Sequence, residues 1–157
     1  MSARSEYVAA LRSKVGHQRL LLPAVSVLVW DDRQRLLMVR QGESGQWSTV
    51  GGGVEPGESP ADAARREVLE ETGLEVELGT VRAAVGGPAY EVVYANGDRC
   101  CYVSTIFDAR PVGGHLAADL DEVVEVWWMS VSDLAGADIT PFARSLFHDL
   151  GILPVSS

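Results

Sequence analysis

Long apolar runs are missing from this chain. No stretch approaches the roughly 18 consecutive apolar residues from which a membrane-spanning helix is read, so no membrane partner is expected. The opening stretch MSARSEYVAALRSK has no apolar h-region of the kind a secretory signal carries, and the expected compartment is the cytoplasm. Cysteine is scarce: only Cys100 and Cys101 occur, side by side. Neighbouring strand positions point to opposite faces, so the two are expected to be reduced packing residues and not a bridge. Basic residues are few, 13 Lys and Arg against 22 Asp and Glu, for a net charge of −9. Such a surface repels the phosphates of a polymeric nucleic acid. A small phosphorylated substrate stays open, because a bound cation inverts the local field. Internal repeats, low-complexity tracts and linkers are also absent.

What is present is an ordinary globular composition. With 157 residues, 46% hydrophobic and 22% charged, the whole chain from 1 to 157 reads as one domain with a real core.

The most informative stretch is 52–74, GGVEPGESPADAARREVLEETGL. Ser59 followed by Pro60 reads as a helix start, a hydroxyl N-cap and a proline at N1. Asp62 falls at N3, where an acid favours the positive helix end. Gly73 supplies the stop, so the pattern predicts a helix over 60–72. On it Glu67, Glu70 and Glu71 share one face, and Ala61, Ala64 and Val68 form the adjacent core-facing arc. Acids crowded beside an apolar arc repel one another, which points to a site and not to a solvated face. All-oxygen ligands of this kind select hard divalent cations, Mg²⁺ or Mn²⁺. Gly51, Gly52, Gly53 and Gly57 read as a loop whose backbone approaches a ligand closely.

These residues resemble the Nudix box of the MutT-like Nudix hydrolases. Gly52, Glu58, Arg66, Glu67, Val68, Glu70, Glu71, Gly73 and Leu74 fill every fixed position of that pattern. One departure stands at its entrance, where the family commonly has Pro-Gly-Gly and this chain reads Val50-Gly51-Gly52. The resemblance implies an α/β fold, an α/β/α sandwich around a mixed sheet, and a Mg²⁺-dependent pyrophosphohydrolase. It assigns metal ligation to Glu67, Glu70 and Glu71 with the backbone carbonyl of Gly52 or Gly51. Arg66 is expected to orient a catalytic carboxylate through a bidentate pair, and Glu58 to brace the loop and the helix start. The proton acceptor is either a box glutamate or an acid outside the box. The outside candidates are Asp119, Asp121, Glu122 and Glu125, with Glu122 and Glu125 favoured.

Elsewhere the pattern predicts a helix over 5–15 with Tyr7, Leu11 and Val15 on its packing stripe, the candidate contact in a homodimer. Pro23 opens a strand over AVSVLVW, which is read as a hairpin with 36–39. Further strands are expected over 75–85 and 123–129, and a hairpin around Asn96-Gly97. Residues 111–121 read as a loop, and a last helix starts at Thr140-Pro141 with Phe142, Leu146 and Leu150 on one stripe. Substrate choice lies outside the box. Pro88 matches a proline that the ADP-ribose branch of the family tends to carry, and Tyr90 a tyrosine of the dinucleoside-polyphosphate branch. Trp47 and Tyr90 are candidates to face a base or ribose. A nucleoside diphosphate linked to a further group, ADP-ribose first, is the favoured substrate; dinucleoside polyphosphates and nucleoside triphosphates, 8-oxo-dGTP included, are the alternatives. A catalytically silent nucleotide sensor is the competing class, opposed by the complete set of box acids. Isopentenyl diphosphate isomerisation needs a catalytic cysteine that Cys100-Cys101 matches poorly.

Overall fold

A computed structural model describes residues 5–154. In chain order it holds α1 (Glu6–Val15), β1 (Leu20–Val29), β2 (Leu36–Gln41), β3 (Trp47–Gly53), α2 (Pro60–Thr72) and β4 (Leu74–Val85). A 3-10 turn (Pro88–Tyr90) follows, then β5 (Glu91–Val93), β6 (Arg99–Gly114), β7 (Val123–Met129), α3 (Val131–Gly136) and α4 (Pro141–Asp149). The strands form one seven-stranded sheet ordered β4-β6-β1-β3-β2-β7, with β5 also paired to β6. Only β1 and β6 among these neighbours run parallel, so the sheet is mixed. α2 covers one face through Ala63, Ala64 and Val68 against Val25, Val27, Val39 and Val50. α4 covers the other through Phe142, Leu146 and Phe147 against Leu28, Met38 and Ile106. The valine, leucine, isoleucine, methionine and phenylalanine side chains buried to this degree contribute about 1.5–3 kcal/mol each. The α/β/α sandwich is present.

The helix over 60–72 forms as its caps dictate. Ser59 accepts from the Asp62 N–H, and Gly73 closes the helix at φ 75°. A Cβ at Gly73 would lie 2.3 Å from the His115 carbonyl, so both conformation and space require glycine there.

Four expectations need correction. β1 and β2 do not pair as a hairpin: only Trp30 and Leu36 bridge, and β3 runs between the two strands. Pro23 does not open β1 but lies within it, where its carbonyl accepts from the Val54 N–H. Gly51, Gly52 and Gly53 are strand residues and not a loop, paired with Ser26, Val25 and Ala24. The close fit explains the composition, since a Cβ on Gly51 would stand 2.2 Å from the Val25 carbonyl oxygen. Residues 111–114 belong to β6 and pair with β4 across a register shift at Glu75/Val76, an irregularity that accommodates Pro111 and the glycines.

The stripe on α1 also differs. Tyr7 and Val15 are exposed, and the packed side chains are Val8, Leu11 and the buried Arg12. Cys100 is buried and Cys101 partly so, and both are free thiols, as expected of opposite strand faces. α3 was not anticipated; its signal is the Ser130–Asp133 capping box.

Candidate active site

The end of β3 and the helix α2 bring the box side chains together. From its place on the second turn, Arg66 reaches back to Glu58 with two bonds, Nε to Oε2 at 2.7 Å and Nη2 to Oε1 at 2.8 Å. It also donates to the Gly53 carbonyl at 3.0 Å, to Glu67 at 2.9 Å and to Glu70 at 3.3 Å. One guanidinium therefore ties the strand end, the loop and two of the helix acids into a single frame. The bidentate partner is Glu58 and not an acid of the helix face; Glu67 receives a single bond. Glu58 also accepts the Glu55 N–H at 3.2 Å, so it braces the loop as expected. The hydrogen bonds from Arg66 hold the Glu58 carboxyl below its ordinary value, and the same pairing keeps Arg66 charged. Asp62 pairs with Arg65 at 3.4 Å, on the solvent side.

The three box acids are not equivalent. Glu67 and Glu71 are buried at 0% and 3% exposure, whereas the Glu70 side chain is 54% exposed. Burial pushes the Glu71 carboxyl well above its ordinary value, and the neighbouring acids Glu67 and Glu122 push it further. Glu71 Oε1 has no hydrogen-bond partner among the described residues. A buried carboxylate oxygen left without a donor is costly unless something positive meets it. No three His, Cys, Asp or Glu side chains among the described residues converge closely enough to form a cation cage as they stand. The donor set is nevertheless all oxygen, and the Glu71 oxygen is buried without a donor, so these residues fit a hard divalent cation.

Glu71 lines a cavity of about 890 Å³ together with Glu122, Asp121 and Glu55. The cavity continues past Gly53 and Val54 to Tyr94, Tyr102 and Phe142. Of the outside candidates, then, Asp121 and Glu122 share the cavity with Glu71, and Glu122 is the less exposed of the two. Glu125 does not line it: its carboxylate pairs with Arg40 at 2.9 Å across β2 and β7. Asp119 accepts three backbone N–H groups, from Asp121, Glu122 and Val123, and so shapes the loop that presents Glu122.

The substrate-facing candidates lie elsewhere. Trp47 packs against the α4-side core and bonds the 138–140 backbone, and it does not line the cavity. Pro88 is exposed in the 3-10 turn. Tyr90 is 2% exposed, meets Phe142 edge-on at 5.2 Å, and donates to Asp149 at 2.6 Å. Sequence reasoning missed Tyr94 and Tyr102, whose hydroxyls meet at 2.6 Å, and the cavity residues Arg12 and Asp98. Arg12 left a signal, a charge on the same helical stripe as Val8.

Comparison with known proteins agrees with this geometry. A NUDIX domain matches residues 20–150. The nucleoside triphosphatase NudI of Enterobacter sp. strain 638 is 30% identical over 112 residues, 69% of this chain and 79% of its own length. A Bacillus subtilis strain 168 protein, provisionally named an 8-oxo-dGTP diphosphatase, is 32% identical over 104 residues, 66% of this chain and 63% of its own. The crystal structure of a MutT protein from Methanosarcina mazei Go1 superposes with a TM-score of 0.68 at 23% identity, covering 85% of this chain and 95% of that one. The box residues in sequence, the frame they build in the fold and the match across 20–150 agree: the chain belongs to the Nudix family and is a Nudix-type pyrophosphohydrolase.

Proposed function

We propose that the protein hydrolyses a pyrophosphate bond of a nucleoside triphosphate, with Mg²⁺ held at the box acids. The observation that carries this reading is buried Glu71 on the wall of a cavity large enough for a nucleotide, with buried Glu67 behind it and Arg66 bridging Glu67 to Glu58. Glu67, Glu70 and Glu71, with the Gly52 carbonyl, would hold the cation. When bound, Mg²⁺ neutralises phosphate charge and lowers the pKa of a water. Arg66 fixes the Glu67 carboxylate, so that acid enters the reaction already oriented. Glu122, half-buried on the cavity wall, is the group placed to take the proton of the attacking water, in preference to Glu125, which Arg40 occupies. The far part of the cavity, walled by Tyr94, Tyr102 and Phe142, receives the nucleoside.

Two observations move triphosphates ahead of ADP-ribose. Pro88 and Tyr90, on which the diphosphate preference rested, do not line the cavity. The relatives at 30% identity or more described above are a triphosphatase and a provisional 8-oxo-dGTP diphosphatase. The test is a panel of dNTPs, 8-oxo-dGTP, ADP-ribose and diadenosine polyphosphates, ranked by kcat/KM with products identified. A triphosphate is expected to lead by about tenfold, the discrimination one pocket contact supplies. A tenfold lead for ADP-ribose restores the diphosphate preference.

A further inference from the structure

Arg12 is a guanidinium buried to 5% exposure on a helix outside the box, and the catalytic frame makes no use of it. Its Nη groups are fully engaged. They donate to the carbonyls of Gly16, Gln18 and Arg99 and to the Cys100 sulfur. The last two anchor α1 to β6. Nε remains: it has no hydrogen-bond partner among the described residues. It stands 3.7 Å from Asp98 Oδ2, an ion pair without a hydrogen bond. Asp98 is itself 6% exposed and meets His17 Nδ1 at 2.8 Å and Asn96 Nδ2 at 3.2 Å. Arg12 and Asp98 both line the cavity that Glu71 lines, and Tyr94, Tyr102 and Phe142 line it with them.

An anchor that served packing alone would leave no buried donor unmet, because such a donor is costly. Here an N–H lies beside an acceptor carboxylate, next to flat aromatic walls. That combination suits a planar ligand with a donor and an acceptor adjacent on one edge, which is the chemistry of a nucleobase. A phosphate is disfavoured at this end, since Asp98 would repel it. We propose that Arg12 Nε and Asp98 read the hydrogen-bonding edge of the substrate's nucleobase while Tyr94 and Tyr102 flank its ring. The proposal rests on the nucleotide reading above and adds the residues that select the base.

The test is equilibrium binding by calorimetry, using non-hydrolysable α,β-methylene triphosphates of guanine, adenine, cytosine and uracil, in ribose and deoxyribose forms with Mg²⁺. The wild-type affinities are expected to spread about tenfold across bases, as for a site built around buried hydrogen bonds. Asp98→Asn replaces a pure acceptor by a group that also donates, so the ratios between bases change. A purely structural role for Asp98 would weaken all four analogues by a common factor and leave the ratios intact. Equal wild-type affinity for the four bases overturns the proposal, as do unchanged ratios in a variant that melts like the wild type. Affinity that follows the 2′-hydroxyl and ignores the base also overturns it, by giving the pair to the ribose. Where Asp98→Asn does not fold, the wild-type spread decides. The analogues are not turned over, so a protein that ranks bases yet hydrolyses nothing keeps this inference and refutes the catalytic reading.

Discussion

Glu71→Gln is expected to lower kcat by about 10²-fold or more, since even the groups behind a metal ligand are each worth about 10–100-fold, while leaving the fold intact. Glu71 is 3% exposed, and its Oε1 has no hydrogen-bond partner among the described residues. Burial first, then the charges of Glu67 and Glu122, raise its carboxyl above the ordinary 4.5. The sign follows: a carboxyl whose folded value is raised binds its proton more tightly when folded. Its ionisation therefore removes stability as pH climbs past the ordinary value. Glutamine has the same shape and no charge to desolvate. In EDTA at neutral pH the variant should therefore melt at or above the wild-type temperature. A lower melting temperature together with unchanged kcat would make Glu71 a structural acid and refute its catalytic place.

Arg66→Ala is expected to be the most destabilising single change at the site. Arg66 holds Glu58 by two bonds and Glu67 by one, and the side chain of Glu67 is fully buried. Removing the guanidinium takes its charged donor from a buried acid, a change of about 3 kcal/mol or more, and it frees the Gly53 carbonyl and the loop that Glu58 braces. Activity should fall with it, since Glu67 loses its orientation. Urea unfolding with an unchanged slope gives the stability. Arg65→Ala is the matched control: Arg65 meets Asp62 at 3.4 Å with both side chains more than half exposed, so its loss should change little. Equal midpoints for the two variants would contradict the frame. The Glu58 share of this stability has its own pH window. Hydrogen bonding from Arg66 depresses the Glu58 carboxyl, so the contribution holds above the ordinary value and fades as pH falls below it.

What the sequence makes legible is what local chemistry decides. The bounds of α2 follow from Ser59, Pro60 and Gly73, and α4 from Thr140 and Pro141, because caps and N1 prolines act within a turn. The spacing of Glu67, Glu70 and Glu71 likewise fixes which side chains share a helix face. What it leaves open depends on distant partners. Nothing in residues 24–41 reveals that β3 will run between β1 and β2, and without that insertion the glycines at 51–53 read as a loop. Burial of Glu67 and Glu71 against exposure of Glu70 depends on how α2 packs on β3. The choice between Glu122 and Glu125 depends on Arg40, which stands opposite Glu125 through strand pairing. Trp47 and Tyr90 carry the aromatic signal of a nucleotide pocket, but the core claims both, and the cavity takes Tyr94 and Tyr102 instead. Arg12 breaks an apolar helical stripe, a local conflict that sequence patterning shows without revealing its partners on β6.

The most direct measurement of the central claim is nucleotide turnover after exhaustive EDTA treatment, followed by Mg²⁺ titration, with products identified by ³¹P NMR. Pyrophosphate-bond cleavage should vanish in EDTA and return in full with Mg²⁺, because buried Glu71 at the cavity wall, with Glu67 beside it, depends on a cation for its chemistry. Undiminished turnover in EDTA would contradict the account.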